Sequence, residues 1–227
     1  SKTAIMRHYG VEDHRIVVGP NAVSHQFVPL DRARAQEAMQ RKLGLGVPYV
    51  LTVGDLQPRK NHLGLLQAFE RVIEQHPELP HHLVFAGKET WYSPRLHAAV
   101  AASRAADRVH FTGFVEDGDL LQLYGGCDLF VYPSFYEGFG LPILEAMACG
   151  RAVACSNTTA MPEVAGSSAL LFDPADAEQM AHAISKILTN DDLRRRLESE
   201  GVQHASTFSW ERAAAKTLNV YYEVVGA

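Results

Sequence analysis

The sequence of 227 residues lacks several patterns that would each assign it to a class of protein. It has no GxGxxG after its first strand-like run and no GxxxxGK[ST] loop, which argues against a nicotinamide cofactor and P-loop chemistry. Its 11 histidines are scattered without an HExxH pair, so a metal site has little support. It also lacks a signal peptide and any long charge-free apolar run, which predicts a chain that does not span a membrane.

Cysteine is scarce, and the overall charge is modest. Cys127, Cys149 and Cys155 all lie in apolar segments, which predicts reduced, buried thiols in a reducing, cytoplasmic compartment. The net charge of −5 gives no basic field that would attract nucleic acid. Hydrophobic residues make up 47% of the chain, enough for the core of one large domain. The chain begins with Ser1 rather than Met and starts in mid-pattern, which predicts a fragment of a longer protein.

Short apolar runs alternate with segments of helical spacing between residues 49 and 172. We predict strands at 15–18, 49–53, 82–86, 109–112, 129–132, 152–155 and 169–172. We predict helices at 31–43, 63–73, 93–105, 118–124, 141–149, 174–188, 191–205 and 209–225. Such alternation is typical of an α/β fold, a doubly wound, Rossmann-like parallel sheet with helices on both faces. Ligands of such sheets bind at the carboxyl ends of the strands.

The stretch at 130–150, FVYPSFYEGFGLPILEAMACG, carries the strongest local signal. It runs from an apolar strand through a Gly-bearing turn, Gly138-Phe139-Gly140, into a helix beginning at Leu141. The free N–H groups and positive dipole of a helix start favour an anion such as a phosphate. Glu137 in the turn and Glu145 in the helix could accept hydrogen bonds from the hydroxyls of a sugar or ribose.

A second charged loop follows the strand at 49–53. It contains Arg59-Lys60, and two cations in this position could hold a diphosphate. The loop from Gly113 to Val115 reaches the same edge of the predicted sheet. Taken singly, each motif has an ordinary interpretation. Arg59-Lys60 and Glu137 would then be solvated loop charges, Glu145 would only favour the positive end of its helix, and 138–140 would be a plain turn.

Together and in this order, the segments resemble the C-terminal domain of GT-B fold glycosyltransferases. They are most similar to the retaining GT4 family, called "glycosyl transferases group 1". The matching pieces are VGDLQPRKN (53–61), LVFAGK (83–88), VHFTGFV (109–115), the run at 127–153, PEVAG (162–166) and ALLFDP (169–174). The E-x7-E signature of the family appears as Glu137 and Glu145. The PRKN form is similar to a subgroup rich in mannosyltransferases and other bacterial polysaccharide enzymes.

The resemblance implies a role for each matching residue. Arg59 and Lys60 correspond to the cations that hold the donor diphosphate and stabilise the leaving group. Glu137 corresponds to the carboxylate near the anomeric centre of the donor sugar, and Glu145 to the one that binds ribose. The N–H groups of 138–141 (Gly138, Phe139, Gly140 and Leu141) correspond to backbone contacts with sugar and phosphate, and Val115 to the lining of the base pocket.

Two positions depart from the family pattern. Many relatives carry Arg where this chain has Asp55, so Arg59 is expected to supply that charge. Many also read PNGVD where this chain reads PNAVS, so Ala22 replaces a Gly and puts the local turn in doubt.

The resemblance implies that 1–227 is a donor-binding domain. Residues 1–31 would be the crossover into it, and 207–227 would form a helix that packs on an absent N-terminal domain with the acceptor site. The full enzyme would transfer a hexose from a GDP- or UDP-linked sugar, and the PRKN subgroup favours mannose from GDP-mannose. The transfer would proceed with retention and without a metal or other cofactor. The fragment alone would bind nucleotide without appreciable transfer. A cytoplasmic enzyme, peripheral at the cytoplasmic face of a membrane, fits this description.

Two alternatives remain open from the residues. A glycoside hydrolase also uses a pair of carboxylates, but that interpretation leaves Arg59-Lys60 and the helix start without a role. The other is a non-catalytic nucleotide-binding or interaction module.

Overall fold

The computed structural model describes residues 2–226, and its centre is one sheet of six parallel strands in the order β3-β2-β1-β4-β5-β6. The strands are β1 Tyr49–Val53, β2 His82–Ala86, β3 Val109–Gly113, β4 Leu129–Tyr132, β5 Ala152–Ser156 and β6 Leu170–Phe172. This is the predicted doubly wound α/β fold, and six of the seven predicted strands are present within one residue of their predicted bounds.

Ten α-helices occur in the described part of the chain. They are α1 Lys2–Tyr9, α2 Arg32–Leu43, α3 His62–Gln75, α4 Ser93–Ala101, α5 Asp117–Gly126, α6 Leu141–Ala148, α7 Met161–Ala165, α8 Ala177–Leu188, α9 Asp191–Ala205 and α10 Trp210–Val225. Short 3-10 turns lie at Asp13–Arg15, Pro58–Lys60 and Ala106–Arg108. None of the helices within residues 2–226 is long and apolar enough to cross a membrane.

Side-chain caps explain where four helices begin. Asp31 accepts a hydrogen bond from a backbone N–H in the first turn of α2, and Asp176, Asn190 and Ser209 do the same for α8, α9 and α10. The cap at Asp176 starts α8 later than the predicted 174–188. The predicted helix 93–105 is also too long, because α4 ends at Ala101 and the chain then forms a 3-10 turn.

The strands are buried on both faces of the sheet, which is why they read as continuous apolar runs. Phe130 and Tyr132 of β4 face one core, together with α5 and α6. Leu129 and Val131 face the other core, together with α3 and α8. The three cysteines are reduced and buried, as predicted.

The predicted strand at 15–18 is wrong. Arg15 belongs to a 3-10 turn, the residues that follow are irregular, and Val17 and Val18 are each almost half exposed. An apolar run becomes a strand only where a neighbouring strand pairs with its backbone, and residues 15–18 pair with neither β3 nor β6, the two edges of the sheet. Ala22, the departure from the family pattern, is buried, and its φ is not positive, so the turn has formed around alanine.

Helix α10 carries an apolar face that nothing in residues 2–226 covers. None of its residues is buried, and its exposed side chains include Trp210, Leu218 and Tyr221. With Gly19 and Pro20 they line a shallow groove of about 760 Å³. An exposed apolar face of this kind is typical of an interaction surface.

Two glycines allow β1 and β2 to approach each other closely at their carboxyl ends. A Cβ added to Gly87 would lie only 2.1 Å from the carbonyl oxygen of Gly54, so the backbone would have to move. We expect Gly87→Ala to lower the free energy of unfolding by about 1–3 kcal/mol, the usual cost of overpacking. Urea denaturation measures this change.

Gly118→Ala in α5 is the matched control for Gly87→Ala. A Cβ at Gly118 meets nothing within 4 Å, so the same chemical change should leave stability unchanged or raise it by up to about 1 kcal/mol. Equal effects of the two substitutions would contradict the close approach of β1 and β2.

Candidate functional site

The order of the strands reverses between β1 and β4, which lie side by side although three helices and two strands separate them in sequence. The connection after β1 therefore leads to one side of this switch point and the connection after β4 to the other. A crevice opens where such connections diverge, and ligands of doubly wound sheets bind there. The two charged loops predicted from the sequence are these two connections.

At the switch point, Arg59, Lys60 and Glu137 come into direct contact. Arg59 Nη1 lies 2.6 Å and Lys60 Nζ 2.9 Å from the same carboxylate oxygen, Glu137 Oε1. The side chains of Lys60 and Glu137 are only 12% and 11% exposed, whereas that of Arg59 is 42% exposed. The cluster has two positive charges and one negative charge, so it retains an excess positive charge that can attract an anion.

Burial and ion pairing act in opposite directions on this cluster. Burial opposes ionisation of Glu137, but the hydrogen bond and the charge of Lys60 outweigh it and hold the pKa of Glu137 below its ordinary value. Burial lowers the pKa of Lys60, and the hydrogen bond to Glu137 resists that shift. At neutral pH Glu137 is therefore an anion that stabilises the charge of its two neighbours.

Two residues that hold Lys60 escaped the analysis of the sequence. Lys60 Nζ donates a hydrogen bond to the hydroxyl of Tyr132, at 2.8 Å, at the end of β4. Its aliphatic stem passes over Gly54, where an added Cβ would lie 2.9 Å from Lys60 Cε. The sequence offered one signal for Tyr132, its place as the last residue of a predicted strand. That this strand lies beside β1, and so brings Tyr132 to Lys60, is seen only in the folded sheet.

Backbone contacts join the two loops. The N–H of Phe135 donates to the carbonyl of Arg59 at 2.9 Å, and Arg59 Nη1 donates to the carbonyl of Tyr136 at 2.7 Å. Asn61, in the left-handed conformation with φ 56°, donates from its amide to the carbonyl of Pro174 at 2.7 Å. These contacts fix the cationic loop from both ends, so the ion pairs are preorganised.

The Gly-bearing turn leads into α6 as predicted. Gly140 is left-handed, with φ 107°, immediately before Leu141, and Pro142 occupies the first turn. Gly138 is exposed, and the side chain of Phe139 packs edge-to-face on Phe208 with ring centroids 6.1 Å apart. The turn at 138–140 therefore leads directly into the positive end of α6.

Glu145 lies apart from this cluster, inside α6. Its Oε2 accepts a hydrogen bond from the hydroxyl of the buried Tyr124, at 2.8 Å. Burial raises the pKa of Glu145, the hydrogen bond from Tyr124 opposes the shift, and the negative charge of Asp117 adds to it. The two carboxylates of the E-x7-E signature are thus in different electrostatic environments, because only Glu137 has cationic partners.

A cavity of about 300 Å³ opens at the carboxyl ends of β1, β2 and β3. Val115, predicted to line a base pocket, is one of its walls, and Asp55, Lys88, Phe114 and Asp117 are others. Lys88 Nζ lies over the ring of Phe114, 4.9 Å from its centroid. Asp55 accepts a hydrogen bond from the backbone N–H of Lys88 at 3.4 Å, so the residue that departs from the family pattern shapes the cavity instead of supplying positive charge.

No group of three or more His, Cys, Asp or Glu side chains within residues 2–226 is arranged to hold a metal ion. The positive charge in the crevice comes from Arg59, Lys60 and the start of α6. The expectation of a reaction without metal stays a prediction.

The strand order and the charged cluster at the switch point define a Rossmann-like α/β domain. Its fold is that of one half of a GT-B glycosyltransferase. The family described as "Glycosyl transferases group 1" matches residues 35–204, most of the chain, and the protein belongs to this family.

Relatives in this family include two proteins of Escherichia coli. The chain is 37% identical over 221 residues to O-antigen chain mannosyltransferase B, covering 97% of this chain and 58% of that protein. It is 32% identical over 212 residues to the serotype-specific mannosyltransferase WbdA, covering 92% of this chain and 26% of that protein. The chain thus spans little more than half the length of the first relative and about a quarter of the second.

Among solved structures, that of Anabaena HepE in complex with UDP superposes with a TM-score of 0.84. The match covers 100% of this chain and 62% of HepE at 21% identity, so it shows the fold alone.

Replacing Glu145 should reveal the energetic cost of burying its charge. A group with a raised pKa is destabilising when ionised, so we expect Glu145→Gln to raise the free energy of unfolding by about 1 kcal/mol at pH 7.5. The gain should vanish as the pH falls towards 4, since the carboxyl of the wild type is then protonated in the folded protein. Urea denaturation at both pH values measures it, and an equal gain at both would contradict a raised pKa.

Proposed function

We propose that this chain is the donor-binding domain of a retaining glycosyltransferase. The full enzyme transfers a hexose from a nucleotide-diphosphate sugar to an acceptor hydroxyl, and its donor is GDP-mannose. Membership of the glycosyltransferase family supports the reaction class, and the mannosyltransferase names of two relatives support the sugar.

The observation that carries the proposal is the preorganised pair of cations at the switch point. When the bond to the sugar breaks, negative charge builds up on the departing diphosphate. Arg59 and Lys60 are fixed beside the start of α6, so charge and dipole can stabilise that group without reorganising. Glu137 would contact the sugar hydroxyls, and Glu145 would accept hydrogen bonds from the ribose.

The cavity beyond β1, β2 and β3 supports guanine as the base. Guanine presents an amino donor and the O6 acceptor on its edges. Asp117 and Lys88, both in the lining of the cavity, offer a matching acceptor and donor. Phe114 adds an exposed aromatic face on which a base can stack.

The two alternatives fit less well. A two-carboxylate hydrolase needs one ionised carboxylate and one protonated carboxyl group, which Glu137 and Glu145 could supply, but it leaves the paired cations Arg59 and Lys60 without a role. The family membership does not favour a non-catalytic module.

A second domain completes the enzyme in this proposal. The relatives are longer than this chain, and a GT-B enzyme closes its cleft between two such domains. We place the acceptor site on the other domain, and residues 1–31 in the crossover between the two domains. The exposed apolar face of α10 would pack against that domain. By itself the chain would bind nucleotide without appreciable transfer, and the full enzyme would act in the cytoplasm at a membrane face.

Calorimetry with GDP, UDP and ADP tests the donor site. We expect GDP to bind more tightly than the other two nucleotides. Glu145→Ala should weaken the binding of GDP by about ten- to a hundredfold, since a charge-assisted hydrogen bond contributes about 1.5–3 kcal/mol.

Glu116→Ala is the control for Glu145→Ala, because it removes an exposed carboxylate that does not line the described cavity. A folded sample that binds none of the three nucleotides would refute the proposed function. Unchanged affinity in Glu145→Ala would refute the ribose role alone.

Amide hydrogen exchange tests the proposed covering of α10. In this chain alone the amides of α10 should exchange faster than those of α6, whose apolar residues are buried. In a version extended to the length of the relatives, the exchange of α10 should slow by at least about tenfold, as expected on docking. The same rate in both versions would contradict the packing.

A further inference from the structure

Arg59 and Lys60, the cations assigned to the diphosphate, already share an anionic partner. Both contact one oxygen of Glu137, at 2.6 and 2.9 Å, and this oxygen is buried. A terminal phosphate oxygen would make the same kind of contact with two cations. A diphosphate oxygen held by both cations would therefore compete with the carboxylate of Glu137 for them.

The carboxylate and a diphosphate cannot both keep this position. Two anions on the same cations repel each other, and the repulsion is strong where water is largely excluded, as it is at the 12% exposed side chain of Lys60. Glu137 belongs to the turn that precedes α6, whereas the cations belong to the loop after β1. A rotation of the Glu137 side chain can therefore release the cations without moving their loop.

We propose that Glu137 is an internal substitute for the donor diphosphate, which it replaces on Arg59 and Lys60 whenever the site is empty. This inference rests on the proposed function. It assigns Glu137 a role in the exchange of nucleotide, in addition to its contact with the sugar.

Donor and product differ in what they offer the displaced carboxylate. With a nucleotide sugar bound, Glu137 can accept hydrogen bonds from the sugar hydroxyls, which offsets the loss of its cations. A free nucleoside diphosphate has no such hydroxyls, and its terminal phosphate gains further negative charge near neutral pH. Glu137 therefore competes more strongly with the product than with the donor, and it promotes release of the product.

Calorimetry on Glu137→Gln tests the competition, with GDP and GDP-mannose as the two ligands. The amide keeps the shape of the side chain but not its charge. We expect the affinity for GDP to rise roughly tenfold because a competing charge is lost. The affinity for GDP-mannose should rise less or fall, so the ratio of the two affinities should shift towards GDP.

Two further variants isolate the mechanism. Glu116→Gln changes the net charge equally, but Glu116 is exposed and is not among the ion-pair partners of Arg59 or Lys60 in the described residues, so GDP affinity should stay within about twofold of the wild type. In a Lys60→Met background, Glu137→Gln should raise the affinity for GDP much less than it does in the wild type, because the competition acts through the shared cation. Circular dichroism and thermal unfolding check that each variant is folded.

Glu137→Asp provides a second test if Glu137→Gln proves unstable. It keeps the charge but withdraws the carboxylate by one methylene group, so GDP affinity should rise by a smaller factor. Wild-type binding of GDP combined with equal or weaker binding by the folded variants would overturn the inference and leave the proposed function standing. Failure of the wild type to bind GDP, UDP or ADP would overturn both.

Discussion

The ion pairs of Glu137 with Arg59 and Lys60 are the interaction on which the rest of the site depends. They exist because the sheet reverses its order between β1 and β4, which brings the loops after these strands together. The hydrogen bond to Glu137 opposes the lowering of the Lys60 pKa by burial, and the charge of Lys60 in turn holds the pKa of Glu137 below its ordinary value. Neither loop alone could keep its charges buried, since an unpaired buried charge is strongly unfavourable.

Around this cluster, the fold separates the tasks of the site. The loops after β1 and β4 carry the paired charges, the start of α6 carries a dipole, and a separate cavity beyond β1–β3 has Phe114, Lys88 and Asp117 among its walls. Glu145, with a hydroxyl donor and no cation, can accept hydrogen bonds from neutral hydroxyls. Within the E-x7-E signature, the cationic partner Lys60 thus lowers the pKa of Glu137, whereas burial raises the pKa of Glu145.

Most of the fold could be predicted from the sequence, because local patterns determine it. Alternating apolar runs marked six of the strands, and caps such as Asp31 and the stop at Gly44 marked helix ends. The failure at 15–18 has a physical cause: a β-branched run becomes a strand only if the tertiary fold places it beside a sheet edge, and the sequence does not reveal that placement. The start of α8 moved to Ala177 because Asp176, not Pro174, provides the cap.

By itself, the sequence determined which chemical groups reach the carboxyl edge of the sheet, since residue type and strand ends are local properties. It named Arg59, Lys60 and Glu137 but left their partners open. Only the tertiary structure decided that both cations contact one oxygen of Glu137, that Tyr132 and Gly54 hold Lys60, and that Tyr124 holds Glu145. Apart from the packing of Lys60 on Gly54, these contacts join residues 21 to 78 positions apart. The pairing of distant segments, which no local pattern encodes, set the electrostatics of the site.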